Sequence, residues 1–121
     1  MESPLQENAI ATLWDIAGGA PEIFQELIDE YVTMAKEVVA GIERALATND
    51  ARAAEHAAHS LKGSSAMMGA HHVKLACEAI ERAAAGGDLA AARAIFPTLQ
   101  TAHRATIESL LAARDAPAPA A

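Results

Sequence analysis

The chain has 121 residues, 52% of them hydrophobic but only 3% aromatic, and its 9 Lys and Arg against 16 Asp and Glu leave a net charge of −7. That length suits one domain with one modest core. The acidic balance supplies no basic stripe to neutralise phosphates, which argues against nonspecific nucleic-acid binding and against adhesion to anionic membranes, and suits a soluble protein that meets other proteins.

The acidic start MESPLQEN has neither the basic region nor the apolar run of a signal peptide. No stretch nears the roughly 18 continuous apolar residues of a membrane span. A cytoplasmic location is the expectation, and the N-terminal Met with a loose tail favours a free-standing protein. Residues 1–6 read as a flexible lead. A short helix follows from about Gln6 to Ile16, with Ile10, Leu13, Trp14 and Ala17 on its apolar side, and Gly18-Gly19 stops it.

Pro21 and Glu22 suit the first turn of a second helix. Phe24, Leu27, Ile28, Tyr31, Met34, Val38, Ile42 and Leu46 recur at spacings of three and four and carry it to about Ala47. Asn49 or Asp50 caps a third helix, from about Ala51 to Met68, whose apolar stripe is Ala54, Ala57, Ala58, Leu61, Ser65 and Met68. Glu55, His56, His59, Lys62 and Gly63 fall mainly on its other face. Met67 and Met68 read as packing residues between helices.

Gly69 marks a break or a close contact. A fourth helix runs from about Ala70 to Ala85, with Val73, Cys77, Ile80 and either Ala76 or Ala84 inward. Cys77, the single cysteine, permits no intrachain disulfide and reads as a small core residue. Gly86-Gly87 ends this helix and Asp88 caps a fifth, built on Leu89, Ala92, Ile95, Phe96, Leu99, Ala102, Ile107, Leu110 and Leu111. Pro97 falls inside it, so a kink or a break is expected there.

Four long helices joined by short turns make an all-α, antiparallel up-down-up-down four-helix bundle, with the additional short N-terminal helix over one end. The expected domain is 1–114, and 115–121 is an alanine-proline tail expected to be disordered.

The most informative stretch is HSLKGSS, residues 59–65. On a helix, His59, Lys62 and Gly63 share a face. A neutral, exposed imidazole nitrogen can attack a phosphoryl group in line, and an ammonium one turn away can stabilise the charge that arrives. Gly63 costs about 1 kcal/mol of helix propensity against alanine. Steric clearance beside the imidazole would explain it, and so would close packing within the bundle. An ordinary surface histidine is the bland reading of His59 itself.

The segment AAHSLKGSSAMMGA, residues 57–70, resembles the signature of histidine-containing phosphotransfer (HPt) domains. FQELIDEY, residues 24–31, and CEAIERAAAGGD, residues 77–88, resemble the family's flanking helices, so the likeness covers roughly residues 8–112. The resemblance implies that His59 is the phosphoacceptor through Nε2. Lys62 would assist the phosphoryl group, and Gly63 would make room for a receiver domain. Ser64, Ser65 and Gly69 would support local geometry. The implied work is relaying phosphoryl groups between receiver-domain aspartates in two-component signalling. The implied protein is a phosphoryl carrier with transferase-like activity and without autokinase activity. No cofactor is expected to be bound, and Mg2+ belongs to the receiver partner. Receiver domains of response regulators or hybrid kinases are the implied partners and a monomer is the implied state; docking is expected through the exposed face around Arg52, Glu55, His56, His59, Lys62 and Gly63, together with part of helix two.

The adjacent His71 and His72 depart from the family pattern, are expected to face solvent in part, and are not needed by the relay. The histidines do not meet the bundle metal pattern of Glu with Glu-x-x-His, so no metal site is expected. The rival readings are an adaptor bundle that binds receivers or kinases without carrying phosphate, and a small dimerisation module, which large exposed apolar area on helices one and two would favour.

Overall fold

The computed structural model describes residues 3–118. Five helices follow in order: α1 (Ala9–Ile16), α2 (Pro21–Ala47), α3 (Ala51–Met67), α4 (His71–Ala85) and α5 (Leu89–Asp115). The four long ones close a ring in which α2 packs on α3, α3 on α4, α4 on α5 and α5 back on α2, while α1 lies against α2.

Local chemistry sets the boundaries. Pro21 opens α2, where its missing N–H costs nothing. Asp50 and Asp88 each accept a bond from the backbone N–H three residues on, at 3.0 Å, and so cap α3 and α5. Asp50 is thus the cap of the two candidates, while Asn49 takes the left-handed turn at φ 58°. The C-terminus of α2 is closed from across the bundle, because the Arg93 guanidinium donates to the Leu46 carbonyl at 2.8 and 3.1 Å and also reaches Asn49. At the other end of the same pair of helices, Arg114 grips Asp29 in a two-pronged contact at 2.6 and 3.1 Å. These two links fix α2 and α5 as antiparallel.

The buried stripes follow the helical period. Phe24, Ile28, Tyr31, Ala35 and Ile42 of α2 meet Ala54, Ala58, Leu61 and Ser65 of α3, Val73, Ala76, Cys77, Ile80 and Ala84 of α4, and Ala92, Phe96, Leu99, Ala102, Thr106 and Leu110 of α5. Alanine and serine dominate the inner face of α3, which lets it lie close to its neighbours. Trp14 of α1 stacks on Phe24 with ring centroids 3.9 Å apart.

Four expectations are corrected. The chain before α1 is anchored: Leu5 is buried and the Gln6 N–H donates to the Gly69 carbonyl at 2.8 Å, so the helix begins at Ala9 rather than at Gln6. Residues 1 and 2 of the expected flexible lead lie outside the described residues. Pro97 does not break α5, since Phe96 and Leu99 on either side of it are held in the core and the ring itself faces out. It removes only the helical donor to the Arg93 carbonyl. Of the methionine pair, Met68 is buried but Met67 is 78% exposed. Leu111 is exposed, and Thr106 takes the inward position in that part of α5. At the expected tail, Asp115 is the last helical residue, 116–118 lie beyond the helix, and 119–121 fall outside the described residues. Among the described residues, no helix is long and apolar enough to cross a membrane.

Candidate functional site

The outer face of α3 is a consequence of its inner one. With Ala54, Ala58, Leu61 and Ser65 turned to the core, Arg52, Glu55, His56, His59, Lys62 and Gly63 lie within roughly 60° of His59 around the helix. The structure therefore gathers all six residues on one side. Arg52, His56, His59 and Gly63 are exposed, and Glu55 and Lys62 are half-buried.

The neighbouring helix completes the group. Glu81 of α4 places Oε2 2.7 Å from His59 Nδ1 and Oε1 2.7 Å from Lys62 Nζ. One carboxylate thus holds both side chains. The hydrogen bond from Lys62 is the largest influence lowering the Glu81 pKa; its partial burial opposes that, and the His59 contact adds to it. An ionised carboxylate only accepts hydrogen bonds. In a neutral ring the proton therefore sits on Nδ1, which donates to Glu81, and the lone pair is left on Nε2. The His59 side chain is 64% exposed.

Gly63 explains itself less through the bundle than through its surroundings. Its backbone is not in the left-handed region, and a Cβ added there would meet nothing within 4 Å. Neither backbone conformation nor packing between helices calls for glycine at this position. Gly69 is the opposite case. Its φ is 70° and an added Cβ would lie 2.5 Å from the Cβ of Ala9, so both the turn and the approach of α1 require it.

The two serines differ as well. Ser64 donates back to the Ser60 carbonyl at 3.3 Å, a bond within its own helix. Ser65 is fully buried and shares a 2.7 Å hydrogen bond with the Tyr31 hydroxyl, joining α3 to α2 behind the site. Burial pushes the Tyr31 hydroxyl up to about 12, partly offset by the Ser65 bond. Cys77, one turn before Glu81, is fully buried; burial first and the Glu81 charge second push its thiol up to about 12, so it sits as an inert core residue.

His71 and His72 are half-buried at the start of α4, with ring centroids 4.3 Å apart, away from this face. Among the described residues, no three His, Cys, Asp or Glu side chains cluster so as to hold a metal ion.

Sequence reasoning assembled the α3 face but missed Glu81. The signal was present: folding α3 and α4 about the Gly69-Ala70 turn brings position 81 level with 59, because the two lie about equally far from it.

The sequence matches the family model of the Hpt domain over residues 26–116. The chain belongs to the Hpt domain family. Histidine-containing phosphotransfer protein B (HptB) from Pseudomonas aeruginosa PAO1 shares the structure with a TM-score of 0.86 and 26% identity, over 94% of this chain and 96% of that one. A rice protein classed with the histidine-containing phosphotransfer proteins is similar in fold, with a TM-score of 0.77 and 18% identity over 91% of this chain and 81% of that one. No curated protein matches the chain by sequence. Membership of the family supports a phosphorelay function in general, and HPt domains in general work with receiver domains.

Proposed function

We propose that this protein carries phosphoryl groups between receiver-domain aspartates through His59. The observation that carries the reading is the exposed imidazole whose Nδ1 is held by Glu81 at 2.7 Å, with Lys62 on the same carboxylate. The Nε2 lone pair attacks the phosphorus of a receiver's aspartyl phosphate in line. The new N–P bond forms as the P–O bond breaks, and the electron pair leaves on the receiver's aspartate. Mg2+ held by the receiver would supply the neutralising charge there. The second transfer reverses these steps onto another receiver.

Lys62 stands one turn from the imidazole on a flexible stem, half-buried. As the phosphoryl group arrives, its ammonium turns from Glu81 to a phosphoryl oxygen. The empty space over Gly63 admits the receiver's active-site edge. Arg52, Glu55 and His56 supply polar docking contacts, and exposed Met67 supplies apolar area along the same side of α3.

The test is transfer from a set of phosphorylated receivers in the presence of Mg2+, with His59→Gln alongside. The expected product is an acid-labile, alkali-stable phosphoprotein that the variant does not form. Receiver binding without any transfer, by a folded bundle, would make the protein an adaptor instead.

A further inference from the structure

The relay chemistry needs His59, Lys62 and a clear approach. It does not by itself call for a carboxylate on the far nitrogen of the ring, yet Glu81 is there at hydrogen-bond distance. The consequence concerns the phosphorylated form, and it rests on the reading of His59 as the acceptor.

When Nε2 attacks phosphorus from the neutral ring, its lone pair becomes the N–P bond and the ring acquires a positive charge, with the original proton still on Nδ1. Two futures are open to that proton. If it is lost, the ring becomes neutral, and the return of the N–P electron pair to Nε2 would generate an imidazolate, a poor leaving group. If it is kept, the same step releases neutral imidazole. The ease of onward transfer therefore depends on whether Nδ1 stays protonated.

We propose that Glu81 is a positioning residue that keeps the proton on Nδ1 of phosphorylated His59, and so keeps the phosphoryl group transferable at and above neutral pH. A fixed negative charge in hydrogen-bond contact favours the charged form of its partner. Before transfer, Lys62 at 2.7 Å from the other oxygen favours the ionised form of Glu81, so the carboxylate meets the incoming phosphoryl group without a proton of its own. Because the imidazole edge is open to water, the effect sits toward the low end of such charge contacts.

Other charged and titratable groups lie on the helices around the site. Glu55, His56 and Lys62 stand on α3, and Lys74, Glu78 and Arg82 lie along α4 with Glu81. Arg82 is turned onto Glu78 at 3.0 Å. On α2, the pairing of Tyr31 with Ser65 brings the exposed Glu37 level with His59. Of these groups, Glu81 is the one bonded to Nδ1.

Glu81→Gln tests the charge, since it retains the size and an accepting oxygen. The intact protein is phosphorylated with potassium phosphoramidate, which needs no receiver. The loss of phosphate is then followed across about pH 5 to 10, with the protonation of the ring nitrogens read by 1H–15N NMR. In Glu81→Gln, both the NMR midpoint and the fall in the rate of phosphate loss move down by about one pH unit, so the phosphorylated form lasts up to about tenfold longer on the alkaline side. The same comparison in a Lys62→Ala background separates Glu81 from any release of Lys62, and the shift persists there. Identical midpoints with and without the carboxylate would overturn the proposal while leaving His59 as the carrier. Failure of phosphoramidate to label His59 in the unaltered protein would remove the carrier reading, and this inference with it.

Discussion

The two faces of α3 are built on opposite rules. On the inner face, Ala54, Ala58, Leu61 and Ser65 are fully buried, and the single polar group, the Ser65 hydroxyl, is answered by Tyr31 at 2.7 Å. On the outer face stand an exposed imidazole, a half-buried ammonium and a glycine with empty space above it. The sealed face makes the open one useful. Packing of α3 on both α2 and α4 holds the backbone beneath His59 and Lys62 without a loop to order.

That contrast can be broken from either side, and the largest effect is chemical. His59→Gln abolishes phosphorylation by a receiver while leaving the helical circular dichroism and the melting temperature close to those of the parent, because the side chain is exposed. Gly63→Leu splits function from stability. Transfer from a receiver slows about tenfold or more, equivalent to roughly 1.4 kcal/mol of barrier, because the side chain holds the partner away. The same variant gains up to about 1 kcal/mol in urea unfolding from helix propensity, since nothing within 4 Å opposes a Cβ. Slower transfer with labelling by phosphoramidate intact is the expected signature; unimpaired receiver transfer would remove the clearance role.

The sealed face answers to stability measurements. Leu61→Ala costs about 2–5 kcal/mol in denaturant unfolding, as a fully buried side chain leaves a cavity between helices. Ser65→Ala costs about 1–3 kcal/mol, since it strands the buried Tyr31 hydroxyl, and Tyr31→Phe made with it recovers part of the loss. The smallest effect is on pH dependence. Burial lowers the pKa of His103, with Arg104 adding to the shift, so the folded protein binds its proton less readily than the unfolded chain does. Stability from this group is complete above the ordinary histidine value near 6.5 and is lost as pH falls below it toward the lowered native value. His103→Gln flattens that part of the urea stability profile.

Much of this architecture was legible in the residues. Pro21, Asp50 and Asp88 announce helix starts through chemistry that acts within one turn, and the stripe through α2 repeats often enough to fix its face. What was not legible depends on distance. Leu5 and Gln6 look like a loose lead until the Gly69 carbonyl, more than sixty residues on, supplies a partner. Pro97 signals a break locally, but the buried neighbours Phe96 and Leu99 hold the helix together across it. At the site, the α3 face could be read from its period alone. Glu81 could not, because its contact with His59 depends on how α4 rotates against α3, which the packing of Cys77 and Ile80 determines.

The most direct test of the account maps the phosphoryl group itself. After incubation with a phosphorylated receiver and Mg2+, the protein is digested under alkaline conditions that preserve phosphohistidine and analysed by mass spectrometry. One phosphoryl group is expected, on the peptide holding His59, with NMR placing it on Nε2. A phosphoryl group on His56, His71, His72 or His103 instead, with His59 unmodified, would contradict it.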